Sequence, residues 1–186
     1  FTFNGYFGFN LNSLEVYRQY PDGGFAQFLC APQNAIVRLP DNMSFPQAAR
    51  MGYLGTSYSA LKKYGIIAGK SLIINGATGT LGVGATIFAL AMGISTIYAV
   101  ARNEELLAQL KSLAPGRIET FSNANGSVAD WVKSRTGGLG ADLMLDCLGA
   151  VASTDALKDA MMGVRRGGRI VNIGGTIAFG LGPLFI

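Results

Sequence analysis

The chain has 186 residues, of which 49% are hydrophobic and 14% charged, with a net charge of +4 and no histidine. The charge is too modest and too scattered for a nucleic-acid surface, and no apolar run approaches the ~20 residues of a membrane span. The lack of imidazoles excludes a histidine-based metal site, proton shuttle or catalytic triad from this stretch.

The charged fraction is well below the ~25% of ordinary globular chains, so part of the apolar excess is expected to be covered by a neighbouring domain or subunit. The chain begins at Phe1, shows no signal-peptide pattern and stops at Pro183-Leu184-Phe185-Ile186 in mid-pattern, so a truncated chain is expected. Cys30 and Cys147 have no framework spacing and read as buried thiols of a reducing cytosol, which places the protein in the cytoplasm.

Residues 1–23 read as irregular, with Pro21-Asp22-Gly23-Gly24 as a turn. Phe25–Ala31 and Ala35–Leu39 have the composition of strands. Ser44 is placed as an N-cap with Pro46 near the first turn, opening a helix that breaks near Gly52–Gly55 and ends about Tyr64. The apolar run Leu72-Ile73-Ile74 predicts a strand that leads into Gly76-Ala77-Thr78-Gly79-Thr80-Leu81-Gly82. A helix follows, with Leu81, Ala85, Phe88, Ala89 and Met92 at helical spacing, and ends at Gly93.

Thr96–Val100 is the next strand. Asn103 caps a helix over Glu104–Leu113, and a short strand covers Ile118–Phe121. Ser127 to Asp130 resembles a capping box at the start of a helix that ends at Gly137-Gly138. Asp142–Cys147 is a strand, Ser153–Met162 a helix and Arg169–Ile173 a strand. Strict alternation with short links predicts an α/β fold, a doubly wound parallel Rossmann sheet with five strands present and the sixth missing or incomplete.

The strand, Gly turn and helix at residues 71–84 are the start of a βαβ unit that binds a dinucleotide pyrophosphate. Thr80 and Leu81 are expected to offer backbone N–H groups, with Ala77, Gly79 and Gly82 small for close approach. An NAD site usually carries an acidic residue about 20 positions beyond the glycines. Here that place is Ala101, and Arg102 follows it. A guanidinium attracts the 2′-phosphate that a carboxylate would repel, so NADP(H) is favoured over NAD(H). The alternative is that Arg102 is a solvated loop residue.

Tyr58 and Lys62 have the spacing of a short-chain dehydrogenase pair, but they precede the Gly loop instead of following it, so Tyr58 reads as a packing residue and Lys62 as a solvated one. Cys147 reads as a core thiol and not a nucleophile. Arg165, Arg166 and Arg169 read as a solvated turn between helix and strand, and Asp142 and Asp146 are not placed as an acid/base pair.

The segments Asp22–Leu29, Leu39–Ala49, Gly55–Leu61, Gly76–Gly84, Thr136–Asp142, Leu145–Gly149 and Gly167–Gly174 together resemble, in order, the medium-chain dehydrogenase/reductase superfamily. These are the zinc-type alcohol dehydrogenases and their quinone oxidoreductase relatives. With Ala77 where many alcohol dehydrogenases have Gly, the motif looks more like the quinone oxidoreductase branch. The resemblance implies that residues 1–40 are a remnant of a GroES-like catalytic β domain with its linker. Residues 41–186 would be the NAD(P)-binding domain, truncated at its C-terminus.

It also implies a cofactor site of Thr56, Ala77, Gly79, Thr80, Leu81, Gly82, Arg102, Cys147 and Gly174, with catalytic residues that this stretch does not identify. Gly52 matches the position of a catalytic zinc ligand that is normally Cys, so no metal site and no catalytic zinc are expected. The implied function is hydride transfer between NADP(H) and a small carbonyl, alkene or quinone substrate, by a homodimer whose sheets meet edge to edge. Neither nucleic acid nor membrane is an expected partner, and the fragment alone is expected to be inactive. The alternative is a non-enzymatic dinucleotide-binding module, used as a sensor or structural protein.

Overall fold

The computed structural model describes Glu15, residues 18–63, Gly65 and residues 68–175. The helix end expected at Tyr64, the segment Thr176–Ile186 and most of the first 17 residues lie outside these. The chain forms two compact units, Phe1–Ala48 and Ala49–Ile186.

The first unit holds a 3-10 turn at Gln33–Ala35 and a short helix α1 at Phe45–Ala48. Ser44 starts α1 as expected. Its backbone N–H (2.9 Å) and its hydroxyl (3.0 Å) both donate to Gln47 Oε1, the return half of a capping box. The strands expected at Phe25–Ala31 and Ala35–Leu39 are absent among the described residues. Composition supplies a strand's preferred side chains but not its partner, and Phe25 and Phe28 lie exposed with no ladder beside them. Cys30 is also exposed, which corrects its reading as a buried thiol.

The second unit opens with α2 at Met51–Lys63. The expected break near Gly52–Gly55 lies earlier, at Ala49–Arg50, and the helix runs through both glycines. A glycine costs about 1 kcal/mol in a helix interior, which packing can outweigh. α2 lies on α3 (Thr80–Ala91): a Cβ at Gly84 would come within 2.6 Å of Leu54 Cδ2, and the buried Ser57 hydroxyl donates to Leu81 O at 2.7 Å. Tyr58 packs its ring 5.3 Å from Phe88 as expected, and the exposed Lys62 holds its Nζ 5.7 Å from the centre of the Tyr58 ring.

The strands β1 (Ser71–Asn75), β2 (Thr96–Ala101), β3 (Ile118–Ser122), β4 (Ala141–Asp146) and β5 (Val164–Asn172) form one parallel sheet in the order β3-β2-β1-β4-β5. This is the expected Rossmann arrangement, and the sheet reverses direction of growth between β1 and β4. Alternation along β1 explains the two covered faces. Leu72 and Ile74 join a core with Ala85 and Ala89 of α3 and Leu107 and Leu110 of α4 (Glu104–Ser112). Ile73 points the other way, into Val128 and Val132 of α5 (Val128–Arg135) and Leu157 and Ala160 of α6 (Thr154–Met162).

Three side-chain caps open the later helices, the first two at the positions expected from sequence. Asn103 accepts from Leu106 N, Ser127 from Asp130 N and Ser153 from Asp155 N. At α5 a further cap is remote: Asp159 of α6 accepts from Val128 N at 2.6 Å and from the Ser127 hydroxyl at 2.7 Å. β5 begins five residues before the expected Arg169, so Arg165 and Arg166 lie on a strand and not in a solvated turn. The reason is electrostatic: Arg165 Nε meets Asp142 Oδ1 at 2.8 Å and anchors the start of β5 to β4.

Candidate functional site

The C-terminal ends of β1, β2, β3 and β4 open into one cleft of about 500 Å³, lined by Gly76, Gly79, Arg102, Asn123, Cys147 and Leu148 among others. Parallel register makes this a common rim, because Asn75 stands opposite Val100 on one side and Asp146 on the other. It lies at the β1/β4 switch point, where open α/β sheets leave a crevice between diverging connections.

The turn from β1 into α3 shapes the floor. Gly76 adopts a left-handed backbone (φ +82), and both Gly76 N and Ala77 N donate to Val100 O at 2.9 Å. Gly82 is required by packing, since a Cβ there would lie 2.3 Å from Gly76 O and 2.6 Å from Ala77 Cα. Gly79 differs. Its φ is −76, and the closest atom to an added Cβ is Gly76 O at 3.4 Å, so its smallness serves no contact within the fold. No side chain caps α3 at this end. The helix start therefore presents free N–H groups and the positive end of its dipole.

Among the residues expected at the site, Gly79, Arg102 and Cys147 line the cleft together. Thr80, Leu81 and Gly82 form the first turn of α3, and Ala77 is buried beneath it. Gly174 follows β5, where an added Cβ would come within 3.0 Å of Asp146 Oδ2 and closer still to the Leu148 backbone. Thr56 is apart from the cleft lining, exposed on α2 with its hydroxyl donating to Gly52 O at 3.2 Å. Arg102 is held by its backbone: the Ser122 hydroxyl donates to its carbonyl at 3.1 Å, and Asn123 N donates to Ala101 O at 3.1 Å.

Burial, with the nearby Asp146 charge adding to it, pushes the Cys147 thiol up to about 12, so it stays protonated at neutral pH and is no nucleophile. Two polar residues absent from the sequence-based site lie under the cleft. Asn75 Nδ2 donates to Asp146 Oδ1 at 2.9 Å, with both side chains buried. Burial raises the Asp146 carboxyl to about 6 against the opposing pull of the Asn75 hydrogen bond and the Leu148 amide. Oδ2 still has no hydrogen bond of good geometry among the described residues. A polar residue ending each of two apolar strands was the sequence signal for this pair.

The chain resembles known proteins over most of its length. A family model described as "Zinc-binding dehydrogenase" matches residues 80–185. An alcohol dehydrogenase of Geobacillus stearothermophilus is 34% identical over 154 residues, 82% of this chain and 43% of that protein. A quinone oxidoreductase of Homo sapiens is 31% identical over 159 residues, 83% of this chain and 46% of that one. Among solved structures, a quinone oxidoreductase of Thermus thermophilus, described also in complex with NADPH, superposes with a TM-score of 0.71 at 30% identity, over 88% of this chain and 50% of that one. The chain thus spans less than half the length of these two curated relatives.

The family's description names zinc, but Gly52 offers no side-chain donor atom. Among the described residues no group of three or more His, Cys, Asp or Glu could hold a metal ion. The described donor set does not fit a catalytic zinc. It does fit a dinucleotide, through the open space above Gly79, the uncapped helix start and the Arg102 cation on one cleft. By its matched family model and its five-stranded parallel sheet, the chain belongs to the zinc-binding dehydrogenase family of the medium-chain dehydrogenase/reductase superfamily.

Proposed function

We propose that this chain is the cofactor-holding part of an NADP(H)-dependent oxidoreductase of the alcohol dehydrogenase/quinone reductase type, without a catalytic zinc. The observation that carries the reading is the cleft at the β1/β4 switch point, which brings Gly79, with no atom closer than 3.4 Å to an added Cβ, and Arg102 into one lining. Thr80 and Leu81 offer backbone N–H groups to the pyrophosphate, while Ala77 and Gly82 keep α3 close on β1. Arg102 takes the 2′-phosphate, and Cys147, Gly174 and Thr56 are assigned to the same cofactor. The bound nicotinamide supplies the hydride chemistry to a carbonyl, alkene or quinone.

The catalytic groups are assigned to a GroES-like domain of the whole protein, of which residues 1–40 are the remnant. A cytoplasmic location is assigned on the two cysteines of this chain, Cys30 and Cys147, which have no framework spacing. A homodimer is assigned to the edge of β5, the terminal strand of the sheet among the described residues. Changing Leu184 and Phe185 to Lys is expected to dissociate that dimer in light scattering, and an unchanged dimer mass would refute the edge assignment.

The test of the cofactor reading is calorimetric. Arg102→Ala should weaken NADPH by roughly tenfold or more, because a charge-assisted hydrogen bond contributes about 1.5–3 kcal/mol. NADH binding should stay nearly unchanged. Equal losses for both cofactors would remove Arg102 from the phosphate role.

A further inference from the structure

Cations spread along the sequence are gathered by the fold. The parallel strands all start at the rim opposite the cleft, where the connecting helices end. The last turns of α2, α4 and α5 carry Lys62, Lys63, Lys111 and Lys133 to that rim. The first turns, at the cleft end, carry Glu104, Glu105, Asp130 and Asp155 instead. Helix dipoles favour this division on the helices themselves. They give no reason for Lys70 directly before β1 or for Arg165 and Arg166 at the start of β5. The carboxylates of this rim are committed within the fold. Glu119 pairs with Arg135 at 3.4 Å, and Asp142 with Arg165 at 2.8 Å and Lys70 at 3.6 Å. A positive surplus is left facing water.

Apolar tips stand among these cations. Leu139, in the turn before β4, is 74% exposed, and Leu113 and Met162, at the C-terminal ends of α4 and α6, are 54% and 60% exposed. Between the starts of β1, β4 and β5 lies a recess of about 240 Å³ walled by Lys70, Arg165 and Arg169. Asp142 also lines it, but its Oδ2 accepts from the Ser71 amide and hydroxyl at 2.9 and 3.0 Å, and its Oδ1 from Arg165 Nε. The recess therefore keeps a net positive charge and suits a phosphate group. Cations alone would suit any polyanion. Base stacking on a nucleic-acid strand needs aromatic faces, and the exposed apolar tips named here are aliphatic. Lys and Arg interleaved with exposed aliphatic tips match an anionic lipid surface, where headgroups meet the charges and the acyl boundary takes the apolar side chains.

We propose that this rim is an interaction surface for an anionic phospholipid membrane, held by its Lys and Arg side chains with Leu113, Leu139 and Met162 dipped among the headgroups. The cleft, at the opposite ends of the strands, then faces away from the lipid. The test is co-sedimentation of the 186-residue chain with vesicles of phosphatidylcholine alone and of phosphatidylcholine with about 30% phosphatidylserine, which supplies the surface charge. The charged vesicles should bind the chain, the neutral ones should not, and binding should weaken as salt rises. Each basic side chain near such a surface is worth about fivefold, so replacing Lys63, Lys111 and Arg166 together by Ala should cost about 100-fold. Leu139→Ser should cost about tenfold and leave the salt dependence unchanged, because the loss is of apolar burial. All four side chains are exposed, so the melting temperatures should stay at the wild-type value.

Failure to bind either vesicle, equal binding to both, or wild-type binding by the triple variant overturns the proposal. An unaffected Leu139→Ser overturns it too, since only the general attraction of a basic chain would remain. Retention of a single-stranded oligonucleotide without binding to vesicles makes the rim a nucleic-acid surface and also overturns it. Should the triple variant melt lower than the wild type, Leu139→Ser and the salt dependence of the wild type decide the matter.

Discussion

Two glycines of one turn should fail in opposite ways. At Gly82 an added Cβ meets Gly76 O at 2.3 Å, Ala77 Cα at 2.6 Å and Ala77 C at 2.7 Å, all backbone atoms that cannot swing aside. Gly82→Ala must therefore push α3 off β1, and overpacking of this kind costs about 3 kcal/mol, the upper end of its usual range. At Gly79 the backbone is ordinary and the nearest atom is 3.4 Å away, so Gly79→Val costs only about 1 kcal/mol, as a lost glycine N-cap. Its methyl groups instead fill the space over the helix start. If two backbone N–H groups there bind pyrophosphate at about 1.5 kcal/mol each, losing both weakens the dinucleotide by roughly 150-fold. Urea denaturation gives the first quantity and calorimetric titration with NADPH the second. Wild-type affinity in a folded Gly79→Val protein would refute the phosphate role of the turn, and wild-type stability in Gly82→Ala would refute the packing argument.

The 186-residue chain alone should give no turnover of carbonyl, alkene or quinone substrates with NADPH above a matched blank, because it contains no histidine and its Cys147 thiol stays protonated. Stability should also peak in mild acid. Burial would raise the Asp142 carboxyl, but the Ser71 amide and hydroxyl, Arg165 and Lys70 outweigh it and hold it at about 2, against an ordinary 3.8. Its stabilisation, about 2 kcal/mol, is complete above pH 3.8 and is lost as pH falls toward 2. Asp146, raised to about 6, binds its proton more tightly folded than unfolded, so its contribution of about 3 kcal/mol is present below pH 3.8 and is lost as pH rises through 6. Denaturation at several pH values should show Asp146→Asn flattening the slope between pH 4 and 6, and an unchanged slope would refute the raised value.

The sheet was legible because each of its strands carries its own signal. The runs Leu72–Ile74 and Leu143–Leu145 are apolar on both faces, as strands covered on both sides must be, and helices between strands announce themselves with caps such as Asn103 and Ser127. The glycine turn was legible for the same local reason. What could not be read were effects that need a partner distant in sequence. The strands expected before residue 40 have the right composition but no ladder to join among the described residues. The length of β5 depends on Asp142, 23 positions before Arg165, and no local pattern of the Arg165-Arg166-Gly167-Gly168-Arg169 run reveals that pairing.

The cleft shows the same division. Gly79 and Arg102 declare themselves through a motif and a substitution within it. Asn75, Asn123 and Asp146 are single polar residues at strand ends, unremarkable until register sets Asn75 beside Asp146 and the sheet order brings the end of β3 to the cleft. Their chemistry comes from burial rather than from residue type. The same carboxyl that would ionise near 3.8 in water does so at about 6 under the Gly76 turn, while Asp142, at the other end of the same strand, moves to about 2. One strand thus carries two aspartates shifted in opposite directions, because one end meets two cations and a hydroxyl while the other meets a neutral amide. The cationic end fastens β4 to β1 and β5. The neutral end leaves Asp146 Oδ2 buried under the cleft without a hydrogen bond of good geometry among the described residues, so its charge is disfavoured where that of Asp142 is held.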